Sequence, residues 1–138
     1  MHVIYVKNSM RDITTHKDSR GSLTIVEAGA SVPFPIERVF WIYDVPQGAA
    51  RGFHANKECY EYLVAVNGSV DVVLEDKAGR RHYTLCSRDK GLLVPPETWR
   101  ELANFSQDAV LLVFASHGYD TSSYINSREE FFEYINRV

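Results

Sequence analysis

The sequence predicts an all-β protein, a jelly-roll barrel of two facing sheets with one short C-terminal helix. Short runs of Val, Ile, Leu and aromatic residues recur between turn signals, and apolar residues alternate along many of them. Only the C-terminal end carries a helical pattern. Many short, half-buried strands leave unpaired edges unless the sheets fold onto one another, which is why a two-sheet barrel follows.

The expected strands are Val3–Val6, Ser22–Val26, Arg38–Tyr43, Arg51–His54, Tyr60–Val66, Val70–Glu75, His82–Leu85, Leu92–Val94, Arg100–Phe105 and Ala109–Ser116. Asn67-Gly68-Ser69 joins two apolar runs and reads as a tight hairpin, because Asn and Gly tolerate positive φ. Asp76 to Gly79 reads as a second hairpin loop. Pro95-Pro96 must lie outside any central ladder, since proline donates no hydrogen bond. The expected strand order is antiparallel and local. Ser127, followed by Glu129, Glu130 and the apolar set Phe131, Phe132, Tyr134 and Ile135, marks an N-capped helix that packs outside the barrel.

Composition narrows the function classes. A chain of 138 residues, 45% apolar and 24% charged, suits one domain over residues 1–138 with its own core. The net charge of −3, with basic and acidic residues interspersed, offers no stripe for nucleic acid. No run of about 18 apolar residues occurs, and Met1 to Met10 carries no signal pattern, so no membrane partner and a cytoplasmic location are expected. Cys59 and Cys86 lack metal-type spacing and read as reduced core thiols.

Two windows carry the chemistry. The first runs His54-Ala55-Asn56, four residues, Glu61, six residues, Gly68; the second runs Gly91, Pro95-Pro96, Arg100, three residues, Asn104. Both resemble the two halves of the cupin motif, which usually has a second histidine where Asn56 stands and a third where Arg100 stands. His54 and Asn56 lie two apart on one strand and so face the same side, into the barrel. Asn56 is a weak neutral ligand and Arg100 a permanent cation that repels a divalent ion. No metal and no other cofactor is expected. Glu61 can pair with Arg100 or Lys57, orient His54, or bind a sugar hydroxyl; Asn104 reads as structural.

Nearly the whole chain resembles one family in particular, the WxcM-like cupins that include dTDP-4-keto-6-deoxyglucose 3,4-ketoisomerases. The segments that carry the likeness are Asp18-Ser19-Arg20-Gly21-Ser22-Leu23, Pro33-Phe34-Pro35-Ile36-Glu37-Arg38-Val39, Arg51-Gly52-Phe53-His54-Ala55-Asn56-Lys57, Val66-Asn67-Gly68-Ser69 and Gly91 through Trp99. The resemblance implies a homodimeric, metal-free cupin that binds a nucleotide sugar and moves its ketone from C4 to C3 in deoxysugar and surface-glycan biosynthesis. It departs from the family at Asn56, at Arg100, and at Phe40-Trp41, where the family usually has tyrosines.

That chemistry needs a base, donors for an enediolate, and an acid. The resemblance assigns His54 as acid/base and Glu61 as its orienting partner, while Arg20, Arg51 and Lys57 hold the diphosphate through charge-assisted bonds. Arg100 can lower the His54 pKa, stabilise the enediolate or bind a phosphate. Asn56 belongs to the substrate pocket, and Trp99 is either core or a stacking surface for a base or sugar. Tyr43 is held in reserve as a replacement acid. The alternative reading is a non-catalytic cupin that binds a nucleotide sugar or saccharide. The apolar Arg38–Tyr43 run and the N-terminal strand, unfit to remain free edges, point to a homodimer.

Overall fold

A computed structural model describes residues 7–137, so the expected strand Val3–Val6 lies outside the described residues. In chain order the strands are β1 (Ser9–Asp12), β2 (Thr15–Asp18), β3 (Gly21–Thr24), β4 (Arg38–Ile42), β5 (Arg51–Asn56) and β6 (Glu61–Asn67). They continue with β7 (Val70–Asp76), β8 (Gly79–Leu85), β9 (Lys90–Val94), β10 (Trp99–Ala103), β11 (Val110–Ala115) and β12 (Tyr124–Ile125). Helix α1 (Arg128–Ile135) follows. One five-stranded sheet has the order β1-β9-β6-β11-β4, the other β12-β5-β10-β7-β8, and β2 and β3 form a separate hairpin.

Alternation explains the layers. On β6, Leu63 and Ala65 turn inward and meet Val72 and Leu74 of β7, Val94 of β9 and Val113 of β11 in the core between the sheets. Tyr62 and Val64 turn outward, yet they too are buried, because the segment 25–37 folds over them with Val32 and Phe34. A strand covered on both faces therefore reads as one unbroken apolar run. On the second sheet the outward residues Ala55, Trp99 and Ile125 are covered by Phe131 and Ile135 of α1. The helix begins as expected, with the Ser127 hydroxyl accepting from the Glu130 amide at 3.3 Å.

The antiparallel expectation holds for every strand pair described, but the local one does not. β6 pairs with β9 and β11, and β5 with β10 and β12. Asn67-Gly68-Ser69 is accordingly no hairpin: β6 and β7 belong to opposite sheets, and the turn is a corner between them. Turn chemistry dictates a sharp reversal, not the partner that receives the returning strand. Gly68 sits at φ +67°, and a Cβ there would lie 2.7 Å from Asp108 Oδ1 and 2.8 Å from the Ala109 Cα. The Asp76–Gly79 loop is the hairpin it was expected to be, closing β7 on β8 with the Ala78 amide donating to Asp76 Oδ1 at 2.7 Å. Both prolines of Pro95-Pro96 fall between β9 and β10, outside the ladder. Cys59 is buried as expected, whereas Cys86 is exposed beyond the end of β8, where the alternation of that strand no longer holds it inward.

Candidate functional site

Between the two sheets, at the end where β4, β5 and β12 meet, opens a cavity of about 470 Å³. Its wall on the second sheet is shaped by an irregularity in β5. Arg100 pairs with His54 and Glu101 with Gly52, so Phe53 is an extra residue bulged from the ladder at φ +57°, with Gly52 beside it at φ +88°. Regular alternation would send Arg51 and His54 to opposite faces. The bulge brings both to the cavity, opposite Leu102 and Arg100 of β10.

His54, Glu61 and Arg100 all line the cavity, as their spacing predicts. The Arg100 guanidinium donates to Glu61 Oε1, and its second terminal nitrogen donates to the Thr98 carbonyl at 3.2 Å. Both members of this ion pair are buried. Burial pulls the guanidinium down to about 10, so it remains a cation at neutral pH. Of the roles the sequence left open for Glu61, the structure shows the pairing with Arg100. The His54 ring stacks on Tyr124, with ring centroids 4.9 Å apart and planes at 22°.

Desolvation, reinforced by the positive charge of Arg100, lowers the His54 pKa to about 4. The imidazole is therefore neutral, with a lone pair available, across the physiological range. The same shift couples folding to pH. Between about 6.5 and 4 the unfolded chain takes up a proton that the folded chain refuses, so this contribution is complete above 6.5 and is lost on acidification. Urea unfolding at pH 7 and pH 4.5 should show wild type losing about 2 to 3 kcal/mol more than His54→Gln over that interval. Equal losses in the two proteins would rule the linkage out.

The other expected substrate residues divide. Arg51 lines the cavity. Arg20 does not: it sits exposed at the β2–β3 turn, paired with Asp18 at 2.7 Å. Lys57 is also outside, with its ammonium 5.5 Å above the Tyr134 ring of α1. Asn56 is completely buried, does not line the cavity, and both polar atoms of its amide lack a protein partner. Trp99 faces outward under α1, its ring 5.9 Å from Phe131 and its indole nitrogen donating to Glu101 at 2.9 Å. Adjacent strand residues point to opposite faces, so an inward Arg100 requires an outward Trp99. Tyr43, the reserve acid, is exposed beyond β4 and does not line the cavity. Asn104 is structural, donating to Asp71 at 2.8 Å.

Three polar residues of the cavity escaped the sequence reading: Arg38, Tyr119 and Tyr124. Arg38 alternates with Phe40 and Ile42 on β4, and its guanidinium lies 5.0 Å over the Phe40 ring and 5.8 Å over Tyr119. That alternation was the available signal for it. Tyr119 meets Tyr124 edge-on at 6.2 Å. Among the described residues no group of three or more His, Cys, Asp or Glu side chains converges in a way that could hold a metal ion, and no helix is long and apolar enough to cross a membrane.

Two facing antiparallel sheets around a mouth lined by an imidazole and an ion pair define a cupin. The model of the FdtA family, described as WxcM-like, C-terminal, matches residues 6–136, and the chain belongs to that family. Over 121 residues it is 42% identical to the TDP-4-oxo-6-deoxy-alpha-D-glucose-3,4-oxoisomerase of Aneurinibacillus thermoaerophilus, covering 88% of this chain and 87% of that one. Among solved structures it is similar to QdtA, a sugar 3,4-ketoisomerase from Thermoanaerobacterium thermosaccharolyticum in complex with TDP, with a TM-score of 0.89, 31% identity and 93% of each chain covered. A 3,4-ketoisomerase from Helicobacter canadensis superposes with a TM-score of 0.91 at 34% identity, covering 96% of this chain and all of the other.

Proposed function

We propose that the chain is an isomerase that converts a dTDP-linked 4-keto-6-deoxyhexose into its 3-keto isomer. Supporting this, a relative 42% identical carries that activity in its name, and the TDP-bound relative shares the fold over 93% of each chain. The observation that carries the reading in this molecule is the His54–Arg100 pair: a neutral imidazole directly across the ladder from a buried guanidinium, both lining one cavity.

In the proposed reaction His54 removes the proton on C3 of the sugar, and the electrons of that bond flow onto O4 as an enediolate forms. The Arg100 cation favours that developing negative charge in a dehydrated site. The hydroxyl proton passes from O3 to O4, a proton is added at C4, and the ketone now stands at C3. Arg38 and Arg51 replace Arg20 and Lys57 as the groups that meet the diphosphate, since both line the cavity and guanidinium forks match phosphate oxygens. A homodimer belongs to the same reading: Val39, Trp41 and Tyr43 are 44%, 57% and 58% exposed on the outer side of the edge strand β4 and its continuation.

The test is incubation with the ketosugar nucleotide in deuterated water, followed by NMR. The expected result is deuterium at the reacting carbons and a 3-keto product. The unpartnered, buried amide of Asn56, at a position where a proton carrier is expected, favours one second reading, a chain that binds without turning over. Stabilisation by dTDP with neither exchange nor product would establish that reading and eliminate the isomerase.

A further inference from the structure

We propose that the Tyr124 hydroxyl is the second proton carrier of the isomerisation, delivering to C4 the proton that completes the 3-keto product; this rests on the isomerase reading above. The reaction removes one carbon-bound proton and adds another on the neighbouring carbon. His54 supplies the acceptor, and the donor must also line the cavity.

Few groups qualify. Phe40 has no hydroxyl, and Glu61 is bound to Arg100. Cys59 is buried and points its thiol at the Tyr60 carbonyl at 3.3 Å. Tyr60 packs on Phe34, with centroids 5.8 Å apart, and Tyr62 is buried on the outer face of the first sheet. Tyr43 lies outside. Among the described residues, the tyrosines that line the cavity are Tyr119 and Tyr124.

Position separates the two. Tyr119 is 73% exposed, at the rim. Tyr124 is half-buried, fixed by the pairing of β12 with β5 opposite Asn56, and stacked flat on the imidazole that would take the first proton. The balance closes within the site. His54 becomes imidazolium as C3 loses its proton, Tyr124 becomes tyrosinate as C4 gains one, and the imidazolium returns a proton to the stacked phenolate.

The experiment follows both halves separately in deuterated water: solvent deuterium entering C3 of recovered substrate, and 3-keto product formed. Wild type should do both. Tyr124→Phe keeps the ring, its stack and dTDP binding. It should form product about 10²-fold or more slowly, while exchange at C3 stays within about tenfold of wild type. Tyr134→Phe, which alters a hydroxyl on α1 outside the cavity, should leave both rates unchanged. Product formation by Tyr124→Phe within a few-fold of wild type overturns the assignment. So does an equal fall in exchange and product, which would make Tyr124 a support for His54, and so does this signature appearing in Tyr119→Phe instead. A wild-type chain that neither exchanges nor turns over overturns the isomerase reading itself, and the assignment with it.

Discussion

Replacing Arg100 by Met should lower the unfolding free energy by about 3 to 5 kcal/mol, the range found when one member of a buried ion pair is removed. Arg100 and Glu61 are 2% and 5% exposed, so water cannot take over for the missing guanidinium. Methionine leaves the Glu61 carboxylate in the cavity wall without its cation, and it deprives the Thr98 carbonyl of a donor. The loss belongs to the orphaned charge more than to the bond itself. Two charges brought out of water recover little net energy from each other, so Glu61→Leu combined with Arg100→Met should regain most of the lost stability. Urea midpoints of the two single variants and the double variant decide this. If Arg100→Met costs under about 1 kcal/mol, or if the double variant is no better, the pair is solvated and the cavity wall is not as dry as its burial indicates.

That ion pair also shows how far the sequence could be read. The likeness to the cupin motif, together with the alternation of side chains along a strand, placed His54, Glu61 and Arg100 around one hollow, although Asn56, expected to face inward with His54, does not line it. The Ser127 cap and the helix beyond it were legible for the same local reason. Applied once more, alternation would have turned Trp99 away from the cavity. Other features depend on contacts that no local pattern encodes. The Phe53 bulge, which carries Arg51 to the same side as His54, adds one residue to a strand that otherwise looks regular. Tyr124 sits on a strand of two residues, too short to show a period. Arg20 looked like a phosphate ligand by residue type and motif, yet its immediate neighbour in space is Asp18, two residues away in the chain. The corner at Gly68 has the composition of a hairpin because both need positive φ, and only the strand order distinguishes them.

Replacing His54 by Asn should reduce turnover by about 10³-fold while changing dTDP affinity by less than about threefold. The two effects separate because different groups are responsible for them. In the proposed reaction proton removal at C3 needs the imidazole lone pair, whereas the groups proposed to meet the diphosphate are the guanidiniums of Arg38 and Arg51, which also line the cavity. Asparagine keeps a polar group of modest size at the site but cannot accept a proton. The pH profile supplies an independent check, because the free imidazole titrates near 4 and not near 6.5. For wild type, kcat/KM should therefore stay level from pH 8 down to about 5 and fall only toward the His54 value, since its acid limb reports the free enzyme's base. Arg100 is one cause of that displacement, so Arg100→Met, assayed where it remains folded, should move the limb upward toward 6.5. Retention of more than about a tenth of wild-type turnover by His54→Asn would remove the imidazole from the reaction. A wild-type limb at 6.5 would mean that the base works in water, outside the influence of the guanidinium across the ladder.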